Sequence, residues 1–152
     1  MSTATSPPYE TTLLVRDSCL CLHVQRAARA LARRFDDAFR SLGITNGQFS
    51  LMMSLNRPDP AGMAAVASLL AMDRTTLTAA LKPLQRRSLI KITGDPADRR
   101  ARLVTLTPKG KGLLAQAVPI WKTRHLAVED LLGDDPGRLR RNLRALCVHG
   151  DH

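Results

Sequence analysis

Residues 73 to 107, DRTTLTAALKPLQRRSLIKITGDPADRRARLVTLT, combine a helical period with a strand period in one short stretch, and few folds accommodate both. Asp73 has the chemistry of a helix N-cap, and Leu77, Ala80, Leu81 and Leu84 recur at helical spacing behind it. A buried back thus carries a polar front of Arg74, Thr75, Thr76 and Thr78. Leu89 to Thr93 then alternates as a half-buried strand, residues 94 to 100 supply a hairpin tip, and Arg102 to Leu106 alternates back. Upstream, Met63 to Leu70 reads as a short apolar helix, joined by a tight turn at Ala71-Met72. The whole is a helix-turn-helix pair followed by a basic hairpin, a winged helix-turn-helix lobe. Pro83 lacks an amide donor and crowds the carbonyl four residues earlier, so a bend near Ala79 or a weakened far end is expected in the second helix.

The flanks are helical. Between Leu13 and Leu42, apolar residues at 20, 24, 27, 28, 31, 35, 38, 39 and 42 predict one long amphipathic helix, ended by Gly43. Thr45 or Asn46 caps a further helix, Gly47 to about Asn56, and RPDPAG at 57 to 62 reads as a plain loop. Thr107 caps another long helix with Pro108 at its first position; it runs to about Leu132, interrupted by Pro119, and a last helix covers about Asp135 to Val148. The expected architecture is mainly α with a small β-hairpin wing. Residues 1–12 are expected to form a disordered leader, 43–107 the DNA-binding lobe, and 13–42 with 108–148 a helical dimerisation region. The last assignment is physical: apolar stripes on the flanking helices exceed what one lobe of this length covers, and two copies can cover them. With aromatic residues at only 3% of the chain, an aliphatic core is expected.

The formal net charge of +10 favours a polyanionic partner, through attraction of phosphates and release of their counterions. Between Asp73 and Arg102 eight positive charges stand against three negative ones, a local excess of five. A helix fits the major groove of double-stranded DNA, and an arginine-rich hairpin tip suits the minor groove. The residues assigned to contact are Arg74, Thr75, Thr76, Thr78 and Lys82 on the helix, and Arg99, Arg100 and Arg102 on the wing. The competing reading is a solvated basic face, and it is outweighed by the coincidence of charge, helix pair and wing. A second function class keeps the fold without base readout: a module for nonspecific nucleic-acid packaging or protein assembly.

Other classes find no support. No phosphate-cradling glycine loop, nucleophile elbow or pair of catalytic acids occurs at usable spacing, so no enzyme, catalytic residue or cofactor is assigned. His23, His125, His149 and His152 share no ligand spacing with cysteines or carboxylates, so no metal is assigned, and the terminal His149-Gly150-Asp151-His152 cluster is expected to be disordered. No apolar run approaches a bilayer span, the N-terminus lacks the regions of a signal peptide, and the three cysteines form no disulfide framework, which together predict a cytoplasmic protein without membrane partners. Cys19 and Cys21 lie two residues apart, and on a single helix they point to different sides and do not bond to each other.

Thr45-Asn46-Gly47-Gln48-Phe49, Asp73-Arg74-Thr75-Thr76-Leu77-Thr78, Asp98-Arg99-Arg100 and Leu106-Thr107-Pro108-Lys109-Gly110, in that order and spacing, resemble the MarR family of winged-helix regulators. The resemblance implies a homodimer with interlocked terminal helices on a palindromic operator, with Arg100 in the minor groove and Asp98 bracing its loop. It implies a transcriptional regulator, as a repressor, released from DNA by one of two inputs. One is a small aromatic or apolar anionic effector between the dimer helices and the lobe, for which His23, Arg26, Phe49 and Met53 are candidate lining residues. The other is oxidation of Cys21, whose Leu20-Cys21-Leu22 setting is similar to the peroxide-sensing site of the organic-hydroperoxide branch. That branch supports its cysteine with tyrosines, and this chain has Tyr9 alone.

Overall fold

A computed structural model of the chain describes residues 6–133 and 135–148. The terminal histidine cluster lies outside the described residues. Mostly helical (69%), the fold carries one small antiparallel sheet, as the sequence patterns predict. Its elements are α1 (Tyr9–Ser18), α2 (Leu20–Phe39), α3 (Asn46–Ser54), β1 (Ala61–Gly62), α4 (Met63–Leu69), α5 (Arg74–Arg86), β2 (Ile90–Gly94), β3 (Arg102–Leu106), α6 (Pro108–Glu129) and α7 (Pro136–Leu146), with single 3-10 turns after α2 and α6.

Local chemistry sets most boundaries where the sequence places them. Gly43 takes a left-handed φ of 66° at the end of the turn after α2. Thr45 and Gln48 form a reciprocal capping box at the start of α3, and Thr107 caps α6 through the amide of Gly110. Asp73 caps α5, which continues unbroken through Pro83 to Arg86. Pro83 sits near the end of a helix anchored by the buried Leu77, Leu81 and Leu84, so the missing amide does not terminate it.

Four expectations are corrected. The segment 1–12, read as a disordered leader, is helical from Tyr9 onward, because Pro8 holds the extended N-cap backbone from which α1 starts. The single helix over 13–42 is two helices. Cys19 stands between them with an extended ψ of 110°, and its Sγ accepts the Leu22 amide at 3.5 Å, so it caps α2 instead of continuing α1. The argument that Cys19 and Cys21 diverge on one helix therefore loses its premise. RPDPAG is not wholly a loop: Ala61 and Gly62 pair with Val104 and Leu103, giving a three-stranded sheet of order β1-β3-β2. Two residues carry no periodicity, and the driving force is the free edge of β3 together with burial of Ala61, neither of which is local.

The fourth correction concerns the core. Aliphatic residues dominate its number, but the few aromatics are gathered into one column. Phe35 and Phe39 of α2, Phe49 of α3 and Trp121 of α6 follow one another at ring separations of 6.2, 4.8 and 6.3 Å, and His125 stacks on Trp121 at 4.5 Å. Aromatic pairs at such distances each add roughly 0.5 to 1.5 kcal/mol beyond the area they bury. The column ties the long helices to the lobe. Around it, Leu51, Met52, Leu77, Leu81, Leu84, Leu89 and Val104 are fully enclosed, and no buried polar residue interrupts them among the described residues.

Candidate nucleic-acid interface

The interface is built from the solvent side of α5 and the tip of the β2–β3 hairpin. With Leu77, Leu81 and Leu84 turned inward, helical geometry leaves Arg74, Thr75, Thr78, Ala79 and Lys82 along one shallow outer groove of about 380 Å³. Thr76 does not line that groove. Its amide and hydroxyl both donate to Asp73, at 2.7 and 2.9 Å, so its two donors are committed to capping. These two bonds, the amide's first, hold the Asp73 carboxyl below its ordinary range. The Thr78 hydroxyl donates to the Arg74 carbonyl at 2.8 Å and keeps its lone pairs outward, whereas the Thr75 hydroxyl has no partner among the described residues. Of the helix residues assigned to contact, Arg74, Thr75, Thr78 and Lys82 are the ones that line this groove.

At the wing, Arg99, Arg100 and Arg102 are all exposed, and none makes an ion pair among the described residues. The Asp98 carboxylate accepts the Arg100 amide at 2.9 Å, and the Ala101 amide closes onto the Asp98 carbonyl at 3.0 Å. Asp95 braces the other half of the tip: its carboxylate accepts the Ala97 amide at 2.9 Å, and its own amide donates to Ala101 at 3.1 Å. Sequence reasoning missed Asp95, although an aspartate before proline in a hairpin tip is a signal for such a turn. Two short side chains therefore hold the loop in shape without neutralising its arginines. The electrostatic consequence is three uncompensated guanidinium groups on a braced scaffold.

The candidate effector residues are not brought together as a set. His23 and Arg26 share an exposed groove of about 540 Å³ along α2 with Arg29 and Arg33. The His23 Nδ1 lies 2.8 Å from the Cys19 carbonyl. Phe49 is enclosed in the aromatic column, and Met53 is exposed on α3. Cys21 is exposed, with the Gln25 side-chain amide donating to its sulfur at 3.1 Å, and no disulfide links the cysteines. Among the described residues no three metal-ligating side chains converge, and no helix is long and apolar enough to cross a membrane.

Comparison with known proteins agrees with this geometry. The MarR family pattern matches residues 44–101, the stretch from the start of α3 to the wing. The repressor NicR of Pseudomonas putida is 32% identical over 76 residues, covering 50% of this chain and 48% of its own length. The chain spans about half the length of the curated relatives it matches. The transcriptional regulator MosR of M. tuberculosis, solved in complex with DNA, is 35% identical with a TM-score of 0.78, covering 86% of this chain and 94% of its own. BpsR of Bordetella bronchiseptica, whose DNA binding is regulated by 6-hydroxynicotinic acid, is 25% identical with a TM-score of 0.74, covering 86% and 94%. NicR and MosR are named as regulators of transcription, and on the motif match, the near-complete structural overlap and the shared identity, the chain belongs to the MarR family of transcriptional regulators.

Proposed function

We propose that two copies of this chain pair through α1, α2, α6 and α7 and bind a pseudo-palindromic operator on double-stranded DNA as a repressor. The observation that carries the proposal is the coexistence of an exposed, unneutralised reading face on α5 and the wing with a second, apolar exposed face elsewhere. That second face includes Leu14, Leu20, Leu126, Leu131, Leu139 and Leu146, all on the terminal helices and the turn after α6. An α-helix enters the major groove by its polar face, and twofold symmetry sets two such helices about one DNA turn, roughly 34 Å, apart. The DNA complex of MosR and the repressor name of NicR support the reading.

Release is assigned to one of two inputs. An aromatic or apolar anion would be drawn to the basic groove of His23 and Arg26, and regulation of BpsR by an aromatic acid supports this class of effector. Oxidation of the exposed Cys21 is the second input. Either needs only a few kcal/mol of preference for a spacing of the lobes that mismatches the operator.

The test is selection of duplexes from a random library, followed by hydroxyl-radical footprinting and sedimentation at micromolar concentration. The expected result is a dimer that enriches one palindrome and protects two adjacent major-groove half-sites with flanking minor-groove positions. Arg100→Ala should weaken this binding strongly while leaving the dimer folded. A monomer at that concentration refutes the symmetric operator. Equal, jointly salt-sensitive binding of selected and scrambled DNA would leave the packaging function instead.

A further inference from the structure

Arg87 belongs to the basic stretch that suggests DNA contact, yet its half-buried side chain is hydrogen-bonded to another part of the protein. It occupies the C-cap of α5, and the following Ser88 turns the chain into β2 with a φ of 57°. Its Nη1 donates to the Gly43 carbonyl at 2.6 Å, in the left-handed turn that ends α2. A Cβ at Gly43 would stand 3.7 Å from Nη2, so the guanidinium lies in contact range of that turn. The Arg87 carbonyl in turn accepts from Lys109 Nζ at 2.9 Å, at the second residue of α6. The Arg87 side chain therefore fastens the end of the reading helix to the end of α2, while the backbone carbonyl at the same position holds the beginning of α6. No carboxylate pairs with it among the described residues, and a cation set against carbonyls at a helix C-terminus is favoured by the dipole there.

We propose that Arg87 is a positioning residue whose side chain fixes the angle of α5 against the end of α2, and that it is not a phosphate ligand. The proposal rests on the reading that α5 enters the major groove. A 13-residue helix is about 20 Å long, so a rotation of roughly 5° at the Arg87 end displaces Arg74 at the other end by about 1.7 Å. Bidentate contacts to a base edge do not survive a shift of that size, whereas diffuse attraction to phosphates does. The strut accordingly supports specific binding and contributes little to nonspecific binding.

The experiment compares wild type, Arg87→Ala and Arg87→Lys on the duplex that the wild-type chain selects and on a scrambled duplex, by fluorescence anisotropy across a range of NaCl concentrations. Helix content and sedimentation verify that each variant is folded. The expected result for Arg87→Ala is a loss of about tenfold on the selected duplex, under about twofold on the scrambled one, and an unchanged slope of log affinity against log salt. Arg87→Lys, which retains a donor for the Gly43 carbonyl, should fall between the two, and it decides the question by the same ratios if the alanine variant does not fold. A slope shallower by about 0.9 per copy, with equal losses on both duplexes, would identify a phosphate contact and overturn the proposal. Folded variants that bind both duplexes like wild type would overturn it too. A wild-type chain that enriches no sequence refutes the groove reading itself, and the positioning role with it.

Discussion

Gly110 should be the residue least tolerant of a single added methyl group. It is the third residue of α6, and a Cβ placed on it would lie 2.1 Å from the Leu89 carbonyl oxygen and 3.0 Å from the Leu89 carbonyl carbon. Ordinary contact begins at 3.4 Å, so Gly110→Ala must drive the start of α6 away from Leu89, the residue just before β2, by about 1.3 Å, against backbone and not a pliable side chain. That movement acts on a junction stitched by three bonds: Thr107 Oγ1 to the Ser88 carbonyl at 2.6 Å, the Thr107 amide to the Leu89 carbonyl at 3.1 Å, and Lys109 Nζ to the Arg87 carbonyl at 2.9 Å. Overpacking costs about 1 to 3 kcal/mol and each bond lost about 1 more, while alanine returns at most about 1 kcal/mol of helix propensity. The expected net loss is about 3 kcal/mol, or roughly 6 to 12 °C in Tm for a domain of this size. Gly112 is the control, since a Cβ there meets nothing within 4 Å, and Gly112→Ala should be neutral or slightly stabilising. Thermal unfolding followed by circular dichroism, at one fixed protein concentration, reads both. Equal shifts in the two variants, or a Gly110→Ala protein melting within about 2 °C of wild type, would refute the close approach of α6 to Leu89.

Acid should loosen the start of α5. The Asp73 carboxyl is held below its ordinary value by the Thr76 amide and hydroxyl, so its stabilising effect is complete above the unfolded value, about 3.9, and is lost as pH falls through the lower folded value. Asp73→Asn, which caps without titrating, should remove that part of the acid transition seen by circular dichroism below about pH 4, and an unchanged acid limb would count against it. On DNA, Thr75→Val should narrow the preference for selected over scrambled duplex by about tenfold, and Thr78→Ala by less, because the Thr78 hydroxyl already donates to Arg74. Anisotropy on both duplexes checks this, and a uniform loss on all sequences would show that neither residue reads bases. Mild peroxide should release DNA from wild type and not from Cys21→Ser; wild-type binding that survives peroxide would end the oxidation input.

What could be read from residue order was whatever depends on near neighbours. Asp73, Thr45, Thr107 and Gly43 set helix ends through their own backbones, and the alternation of Leu89 to Thr93 and of Arg102 to Leu106 fixes the hairpin, so the lobe was legible. What could not be read depends on partners distant in sequence. Ala61 becomes a strand because β3 has an open edge some forty residues later. Phe49 stands on the apolar, buried face of its helix in the sequence, but that Phe39 and Trp121 flank it is not local information. The role of Thr76 was hidden for a subtler reason: threonine suits a reading face and a capping network equally well, and only the two bonds to Asp73 separate them. The charge count, likewise, carries no sign that the Arg87 guanidinium donates to the carbonyl of Gly43, a residue distant in sequence.

The break at Cys19 changes what the terminal helices require. As one continuous rod, residues 13 to 42 could borrow stability from the enclosed Phe35 and Phe39 along their whole length. Divided, α1 has 10 residues and α7 has 11, and neither contains a buried residue within its own chain. Isolated helices of that length are marginal in water, since a costly nucleus is repaid by few hydrogen bonds. Tertiary burial must supply the difference, and the exposed Leu14 and Val15 of α1 and Leu139, Leu143 and Leu146 of α7 are the surfaces available for it. Their charges also complement one another, with Glu10 and Asp17 on α1 and Arg138, Arg140, Arg141 and Arg144 on α7. Asp17 is partly engaged by Arg16 and Arg140 by Glu129, so charge alone would set the register of such a contact and apolar burial its strength. In the proposed pairing, a second copy would offer both surfaces at once. The same covering of α1 and α7 that stabilises the ends of the chain would therefore fix the distance between two reading helices, which makes pairing and operator spacing one property and not two.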